Sequence, residues 1–189
     1  MFGDLHIHMI LDGVYYRAAI DAQKEHPLDG LVRARLSDYQ ARGVCLLRDG
    51  GDAWGVSLRA RELAGEYGID YRSPAFPIYR RGHYGAFIGR GFDTEDEYRA
   101  LLDEAGEKRA DFIKLMISGL IDFDHFGVLT EPGPEPQDIR RMIELAHAAG
   151  FAVMAHANGD RAVTAALQAG VDSIEHGAYL SKSVLLRMA

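Results

Sequence analysis

Several features are scarce in this sequence, and each scarcity excludes a class of protein. A single cysteine, Cys45, rules out a disulfide within the chain. No run of about 18 apolar residues is present to span a bilayer, and the N-terminus lacks the basic, apolar and small-residue order of a secretory signal. At a net charge of −7, no basic cluster is larger than a pair of arginines, which disfavours nucleic-acid binding. We therefore expect a cytoplasmic protein without nucleic-acid or membrane partners.

What the sequence does contain is an alternation of apolar strands and helical segments. Hydrophobic residues make up 48% of the chain, which predicts one domain over residues 1–189 with a sizeable core. Strand and helix patterns alternate six times, as in parallel α/β folds. They include a helix from Val14 to Lys24, a strand from Ile69 to Ile78 interrupted by Pro74 and Pro77, and a helix that opens with a capping box at residues 94–97. No Gly-x-Gly-x-x-Gly follows the first strand, so the dinucleotide fingerprint of doubly wound sheets is missing. Polar residues at the strand ends favour a (β/α) barrel over an open sheet.

The first strand carries two histidines one residue apart, in Asp4-Leu5-His6-Ile7-His8. Side chains on a strand alternate between faces, so His6 and His8 point the same way. Imidazole is a common ligand of zinc and similar divalent metals, and this spacing can chelate one ion. The pair alone is weak evidence, because it also arises by coincidence.

Three further residues point to the same chemistry. Lys114 lies inside the apolar strand DFIKLMIS, where burial would lower the pKa of its amine. A neutral lysine amine can take up carbon dioxide to form a carbamate, which is an anionic metal ligand. The alternative is a lysine that reaches the barrel mouth or pairs with Asp111. His156 and His176 follow two later strands, and the convergence of these residue types predicts a metal site.

These motifs resemble those of the amidohydrolase superfamily over nearly the whole chain. The matching segments are DLHIH, DFIKLMISG, VMAHANG and SIEHG, with looser support from RDGG at residues 48–51. The likeness is greatest to the branch of imidazolonepropionase-like and prolidase-like enzymes. It implies a TIM-type barrel that hydrolyses a carbon–nitrogen bond, in an amide, a cyclic amide or a dipeptide-like substrate, through a metal-activated hydroxide.

The resemblance also implies a role for each ligand. His6 and His8 would hold one divalent metal ion, His156 and His176 a second, and carboxylated Lys114 would bridge the two. Lys114 and His176 are accordingly assigned to the catalytic set. Zinc is the default metal, although manganese, iron and cobalt suit similar ligands.

Two departures from the family pattern concern completeness. About six of eight strand–helix units are present, so we expect the barrel to be incomplete at its C-terminal side. The family's aspartate at the end of the eighth strand has no counterpart, and the nearest acids, Asp4, Asp49 and Asp160, do not match its motif. Activity of this chain alone therefore stays open.

The loops after the third and fourth strands are the expected substrate contacts. Arg80, Arg81, His83 and Tyr84 are predicted to bind a small molecule, and paired arginines favour one that bears a carboxylate. Ordinary solvated surface is the alternative for these side chains.

Two other functions are compatible with parts of the sequence. A phosphoesterase of the polymerase-and-histidinol-phosphatase type also begins with Asp-x-His-x-His, but it needs no lysine within a strand. A non-catalytic, degenerate barrel fragment would explain the missing aspartate. A homo-oligomer is also left open.

Overall fold

A computed structural model describes residues 2–189 as eight parallel strands alternating with seven α-helices. The strands are β1 (Phe2–Ile7), β2 (Val44–Asp49), β3 (Asp70–Arg72), β4 (Pro77–Arg80), β5 (Arg90–Phe92), β6 (Ile113–Met116), β7 (Val153–Ala157) and β8 (Ser173–His176). The helices are α1 (Tyr16–Asp21), α2 (Asp29–Ala41), α3 (Val56–Ala64), α4 (Glu95–Glu107), α5 (Pro136–Ala148), α6 (Gly159–Gln168) and α7 (Lys182–Met188), with a 3₁₀ turn at Gly65–Tyr67. None of these helices has the length and apolar character needed to cross a bilayer.

The strands form two parallel sheets that follow one another along the chain. One sheet has the order β1-β2-β3, and the other has the order β5-β4-β6-β7-β8. β3 and β4 are two halves of the strand expected at residues 69–78, separated by a segment that contains Pro74 and Ala75, the latter at φ 66°. β3 pairs with β2 and β4 pairs with β6, so the six expected strands lie in consecutive order. The prediction of an α/β, barrel-type architecture with about six units is confirmed.

β5 is the one strand that the sequence analysis did not predict. It lies at the end of a glycine-rich segment whose sequence predicts a loop. The strand is only three residues long and pairs with β4 on the side away from β6. Gly91 within it allows close packing, because a Cβ there would lie 2.8 Å from the ring of Tyr79.

Strand alternation separates an apolar face from a polar one. On β6 and β7, Ile113, Leu115, Val153 and Ala155 pack under the helices in the larger hydrophobic core. A second core joins β1 and β2 to α2 and α3. The period-two pattern then turns Lys114 and the residues in step with it toward the opposite face, which is the interior of the curved sheet.

The helix α1 is shorter than the stretch from Val14 to Lys24 that the sequence predicts. It spans only Tyr16–Asp21, and side-chain hydrogen bonds tie the chain just beyond it to neighbouring segments. The buried side chain of Gln23 donates a hydrogen bond to the carbonyl of Ile10 and accepts one from the amide of Leu28. These two bonds fix the turn that follows the helix.

Candidate metal centre

The five predicted metal ligands meet at the carboxyl ends of the strands. The ring of His6 lies 5.6 Å from that of His8 and 4.8 Å from that of His176, measured between centroids. The rings of His156 and His176 are 4.6 Å apart. Lys114 Nζ lies 3.4 Å from His6 Nε2. Residues from four strands and from the turn after β1 therefore lie in one cluster of side chains.

The turn after β2 forms a cradle for His8. Nδ1 of the His8 ring donates a hydrogen bond to the carbonyl of Gly51, 2.9 Å away. A Cβ at Gly50 would lie 2.6 Å from Nε2 of the same imidazole, so only glycine leaves room for the ring. Gly51 has φ 82°, the left-handed region that glycine adopts without strain. The Gly50-Gly51 pair therefore sets both the position and the hydrogen bond of His8.

His6 and His156 each have one ring nitrogen held by an oxygen atom. Nδ1 of His6 lies 3.1 Å from a carboxylate oxygen of Glu175. Nε2 of His156 lies 3.1 Å from the carbonyl of Gly119. In metal proteins, a ligating histidine almost always donates its second N–H to a carboxylate or a carbonyl. This arrangement leaves the other nitrogen of each ring with a lone pair available for a metal.

His176 reaches the site through an unusual backbone conformation. Alternation along β8 turns Glu175 inward and would turn His176 outward. At His176, however, φ is 69°, and Gly177 follows at φ 60°. A non-glycine residue in this region is strained, and such strain is concentrated at functional sites. The turn brings the exposed imidazole back over His6 and His156.

A charged network supports His6 from beneath. Arg48 of β2 donates to Glu175 over 2.6 Å and to the hydroxyl of Ser173 over 3.2 Å. Its Nε also donates to the carbonyl of Leu5 in β1. Burial alone would raise the pKa of Glu175, but the hydrogen bond with His6 and the charges of Lys114 and Arg48 hold it at about 2. Glu175 is therefore an ionised acceptor that orients the imidazole of His6.

Lys114 is fully buried, and among the described residues no carboxylate forms an ion pair with its amine, so the charge of Glu175 offsets only part of that burial. The predicted alternative partner, Asp111, instead pairs with Arg61 and Arg72 at the opposite end of the strand. Burial lowers the pKa of Lys114 to about 7, so a large fraction of the amine is neutral near physiological pH. The neutral form is the one that reacts with carbon dioxide.

Burial also keeps the neighbouring imidazoles neutral. It lowers the pKa of His8 and of His156 to about 3, with the charge of Lys114 adding to the effect. For His176, whose ring is only partly covered, this partial burial and the charge of His6 lower the pKa to about 4. Metals bind the neutral form of histidine, so these rings are in the state that coordination requires.

The donors suit divalent metals in kind, although their positions differ from those of a closed coordination shell. Over residues 2–189, no three side chains of His, Cys, Asp or Glu are grouped closely enough to hold one ion. Neutral imidazoles with secured second nitrogens and a lysine of lowered pKa are nevertheless the donor chemistry that zinc and related ions prefer. The residues present therefore fit such a metal.

The three acids considered in place of the missing aspartate all have other partners. The buried carboxylate of Asp49 accepts from the amides of Met9 and Gly51 and from the hydroxyl of Tyr71. Asp4 accepts from the amide of His6, and Asp160 accepts from the amide of Ser181. Each of these contacts secures a turn or a strand end, and none of them faces the histidines.

The predicted substrate residues fall into two groups. His83 and Tyr84 line a cavity of about 500 Å³ beside the centre, and the Tyr84 ring lies 5.0 Å from that of His156. Arg80 pairs with Asp138 of α5, and Arg81 pairs with Asp93 and with Glu97 of α4. The two arginines line other surface depressions and not this cavity.

Sequence reasoning missed several residues of the site. Glu175, Arg48 and Glu131 carry charges that read as ordinary solvated residues in the sequence. Glu131 accepts from the ring of His83 over 2.8 Å and from the amide of Tyr84 over 2.7 Å, which fixes the loop after β4. One signal for Glu175 was available in the sequence. Side chains alternate along a strand, and this alternation places Glu175 of β8 on the inner face.

Comparisons with known proteins agree with this geometry. A model of the amidohydrolase family matches residues 56–186. No curated protein matches the chain. An uncharacterized protein of known structure is 25% identical, with a TM-score of 0.76, and the match covers 99% of this chain and 50% of that one.

Two further solved structures show the same fold at lower identity. A. niger ochratoxinase is 19% identical with a TM-score of 0.74, and the match covers 98% of this chain and 49% of that one. A prolidase complexed with N-methylphosphonate-L-proline is 24% identical with a TM-score of 0.71, covering 97% of this chain and 49% of that one. The chain spans about half the length of the solved structures it matches.

Proposed function

This chain belongs to the amidohydrolase family, and on that premise we propose that it forms part of a metal-dependent hydrolase that cleaves a carbon–nitrogen bond. The substrate would be a small molecule with an amide, cyclic amide or dipeptide-like bond. The observation that carries the proposal is the convergence of four imidazoles and a buried lysine in one cluster at the strand ends. The prolidase among the structural neighbours supports the bond type.

Five side chains would hold two divalent ions, with zinc as the default. His6 and His8 would bind one, and His156 and His176 the other. Lys114 would bridge them after its neutral amine adds to carbon dioxide, which forms a new N–C bond and releases one proton. Such ions polarise a carbonyl group and lower the pKa of a bound water toward neutrality.

The remaining residues would act by holding these donors in place. Glu175 keeps the proton on Nδ1 of His6, which leaves Nε2 free to bind a metal. The carbonyl of Gly51 does the same for Nδ1 of His8, and the carbonyl of Gly119 holds the proton on Nε2 of His156, which leaves its Nδ1 free. Tyr84 lies beside His156 and would confine the substrate carbonyl to the open side of the pocket.

Of the two alternative functions, the phosphoesterase loses support. The family match and the buried position of Lys114 both favour the amidohydrolase chemistry. A fragment without activity of its own agrees with the half-length coverage of the solved structures. Predicted recognition of a substrate carboxylate by Arg80 and Arg81 also loses support, because both arginines are paired with acidic side chains.

Metal content per chain is the measurement that tests the proposed function. Protein expressed with zinc and bicarbonate is expected to carry about two ions per chain by mass spectrometry. Lys114→Ala should lower that number, because it removes the bridging ligand. Lys108→Ala, at a half-exposed position at the end of α4, is the matched control and should leave it unchanged.

Circular dichroism of each variant separates loss of metal from loss of fold. A chain that folds but holds no zinc, with or without Lys114, would contradict the proposal. Where metal is present, a panel of amides set against a generic phosphoester then tests the reaction.

A further inference from the structure

The cavity beside the candidate centre has mainly apolar walls, although charged residues surround the centre itself. It is an open cavity of about 500 Å³ between the loops that follow β1, β4 and β6. The side chains facing it are mainly aromatic or aliphatic: Leu11, Tyr16, Tyr84, Phe87 and Leu120, with His83 at the edge. A volume of this size holds a small organic ligand.

A row of aromatic rings connects this cavity to the candidate metal centre. Tyr16 meets Phe87 edge to face at 6.0 Å, and Phe87 lies 5.5 Å from Tyr84. Tyr84 in turn lies 5.0 Å from the ring of His156. If the scissile bond of a substrate faces His156, the substituent next to that bond therefore points along these rings into the cavity.

The cavity offers no free positive charge among its described lining residues. His83 is the lining group that could be cationic, and it is paired with Glu131 over 2.8 Å. Burial, with the nearby hydroxyl of Tyr16, raises the pKa of Tyr84 to about 12, so its phenol stays neutral. The walls therefore suit an uncharged apolar group better than a carboxylate.

The loop that carries Tyr84 and Phe87 is held in position before any ligand arrives. Glu131 accepts from the amide of Tyr84 and from the ring of His83, and the amide of Gly89 donates to the carbonyl of Gly85. A Cβ at Gly85 would lie 2.6 Å from the side chain of Tyr79, so the loop is closely packed there. A preformed pocket loses less entropy on binding than a mobile one.

We propose that this cavity binds an aromatic, benzyl-sized side group of the amide substrate. The proposal rests on the proposed function, because it places the scissile bond beside His156. Aromatic rings gain both burial and edge-to-face contacts from walls of this kind. The substrates would be amides that carry a neutral ring close to the bond that is cleaved.

Matched substrates test the proposal on the full, zinc-loaded chain. N-acetyl-phenylalaninamide and N-acetyl-alaninamide differ only in the ring. The first should be hydrolysed with a kcat/KM at least roughly tenfold higher, since each apolar group in a fitted pocket contributes that order of discrimination. Leu120→Asp changes a partly exposed side chain of the cavity wall and should reduce the ratio severalfold, because it places a carboxylate where the ring would bind.

Tyr16→Ser provides a second variant, and Tyr15→Ser is its matched control. Both tyrosines are exposed, at 43% and 74%, but only Tyr16 faces the cavity. Tyr16→Ser should lower the ratio, whereas Tyr15→Ser should not. An equal ratio in wild type and both cavity variants, or a preference for the alanine substrate, overturns the proposal.

Binding measurements separate this proposal from the proposed function. If neither amide is hydrolysed, the same two compounds serve as ligands in saturation-transfer NMR on the same protein. Binding of the phenylalanine compound alone, lost in Leu120→Asp, keeps the cavity assignment and refutes the reaction. Equal signals from both compounds refute the cavity assignment, whatever the outcome for hydrolysis.

Discussion

The imidazole of His8 occupies space that a side chain at position 50 would need. Gly50→Ala would place a methyl group 2.6 Å from Nε2 of His8, the nitrogen left free for a metal. The ring must then turn away and lose its hydrogen bond with the carbonyl of Gly51. We expect zinc affinity to fall roughly tenfold or more, as it does when supporting contacts of a ligand are lost. Competition with a chromophoric chelator measures this affinity.

The control for that change is Gly30→Ala in α2. A Cβ there meets no atom within 4 Å, and alanine favours the helix over glycine. Its zinc affinity should equal that of wild type. If Gly50→Ala binds zinc as well as Gly30→Ala does, the cradle has no part in metal binding.

Single residues of the site were predictable where strand alternation governs them. His6, Lys114 and His156 lie on the inner face, as a period of two requires. His176 reaches the site by another route, because a left-handed backbone conformation reverses its direction, and no local pattern signals that turn. Arg80 and Arg81 were expected at the substrate, but their carboxylate partners come from α4 and α5, whose placement depends on the tertiary fold.

Among the helices, α4 has the clearest start signal in the sequence. The threonine half of the predicted capping box is present, because Oγ1 of Thr94 accepts from the amide of Glu97. The Glu97 carboxylate reaches one residue further back and accepts from the amide of Asp93. Thr94→Ala removes the first of these bonds. We expect the free energy of unfolding to fall by about 1 kcal/mol, measured by urea denaturation. Thr94→Ser keeps the hydroxyl and should stay close to wild type; a loss as large as that of alanine would contradict the capping role.

Strand boundaries were less predictable than helix starts. Pro74 and Pro77 signalled the interruption between β3 and β4, since proline cannot donate to a strand ladder. The glycines around β5 predicted a loop instead of a strand. Its three residues form a strand only because the edge of β4 lies beside them. Pairing of so short a strand is decided by its neighbour and not by its own sequence.

Across the whole molecule, Arg48 ties the first sheet to the last strand of the second. Its guanidinium contacts Glu175, Ser173 and the carbonyl of Leu5. Arg48→Met would leave the Glu175 carboxylate buried with less compensation. The free energy of unfolding should fall by about 2 kcal/mol, less than for a fully buried pair because the arginine is partly exposed.

Two further variants test whether the charge itself is responsible. Adding Glu175→Gln to Arg48→Met removes the uncompensated carboxylate and should recover part of the loss. Arg42→Met breaks an exposed pair with Asp38 and should change stability by less than about 0.5 kcal/mol. Equal losses for Arg42→Met and Arg48→Met in urea titrations would show that the contact between the sheets adds nothing.

The contact between His6 and Glu175 joins residues that are synthesised far apart in time, so the site cannot be completed until late in translation. Arg48 precedes Glu175 by 127 residues, and His6 precedes Lys114 by 108. At translation rates of about 5 to 20 residues per second, His6 is made roughly 10 to 30 seconds before its last partner. Until Glu175 is made, the imidazole of His6 lacks the carboxylate that orients it in the finished site.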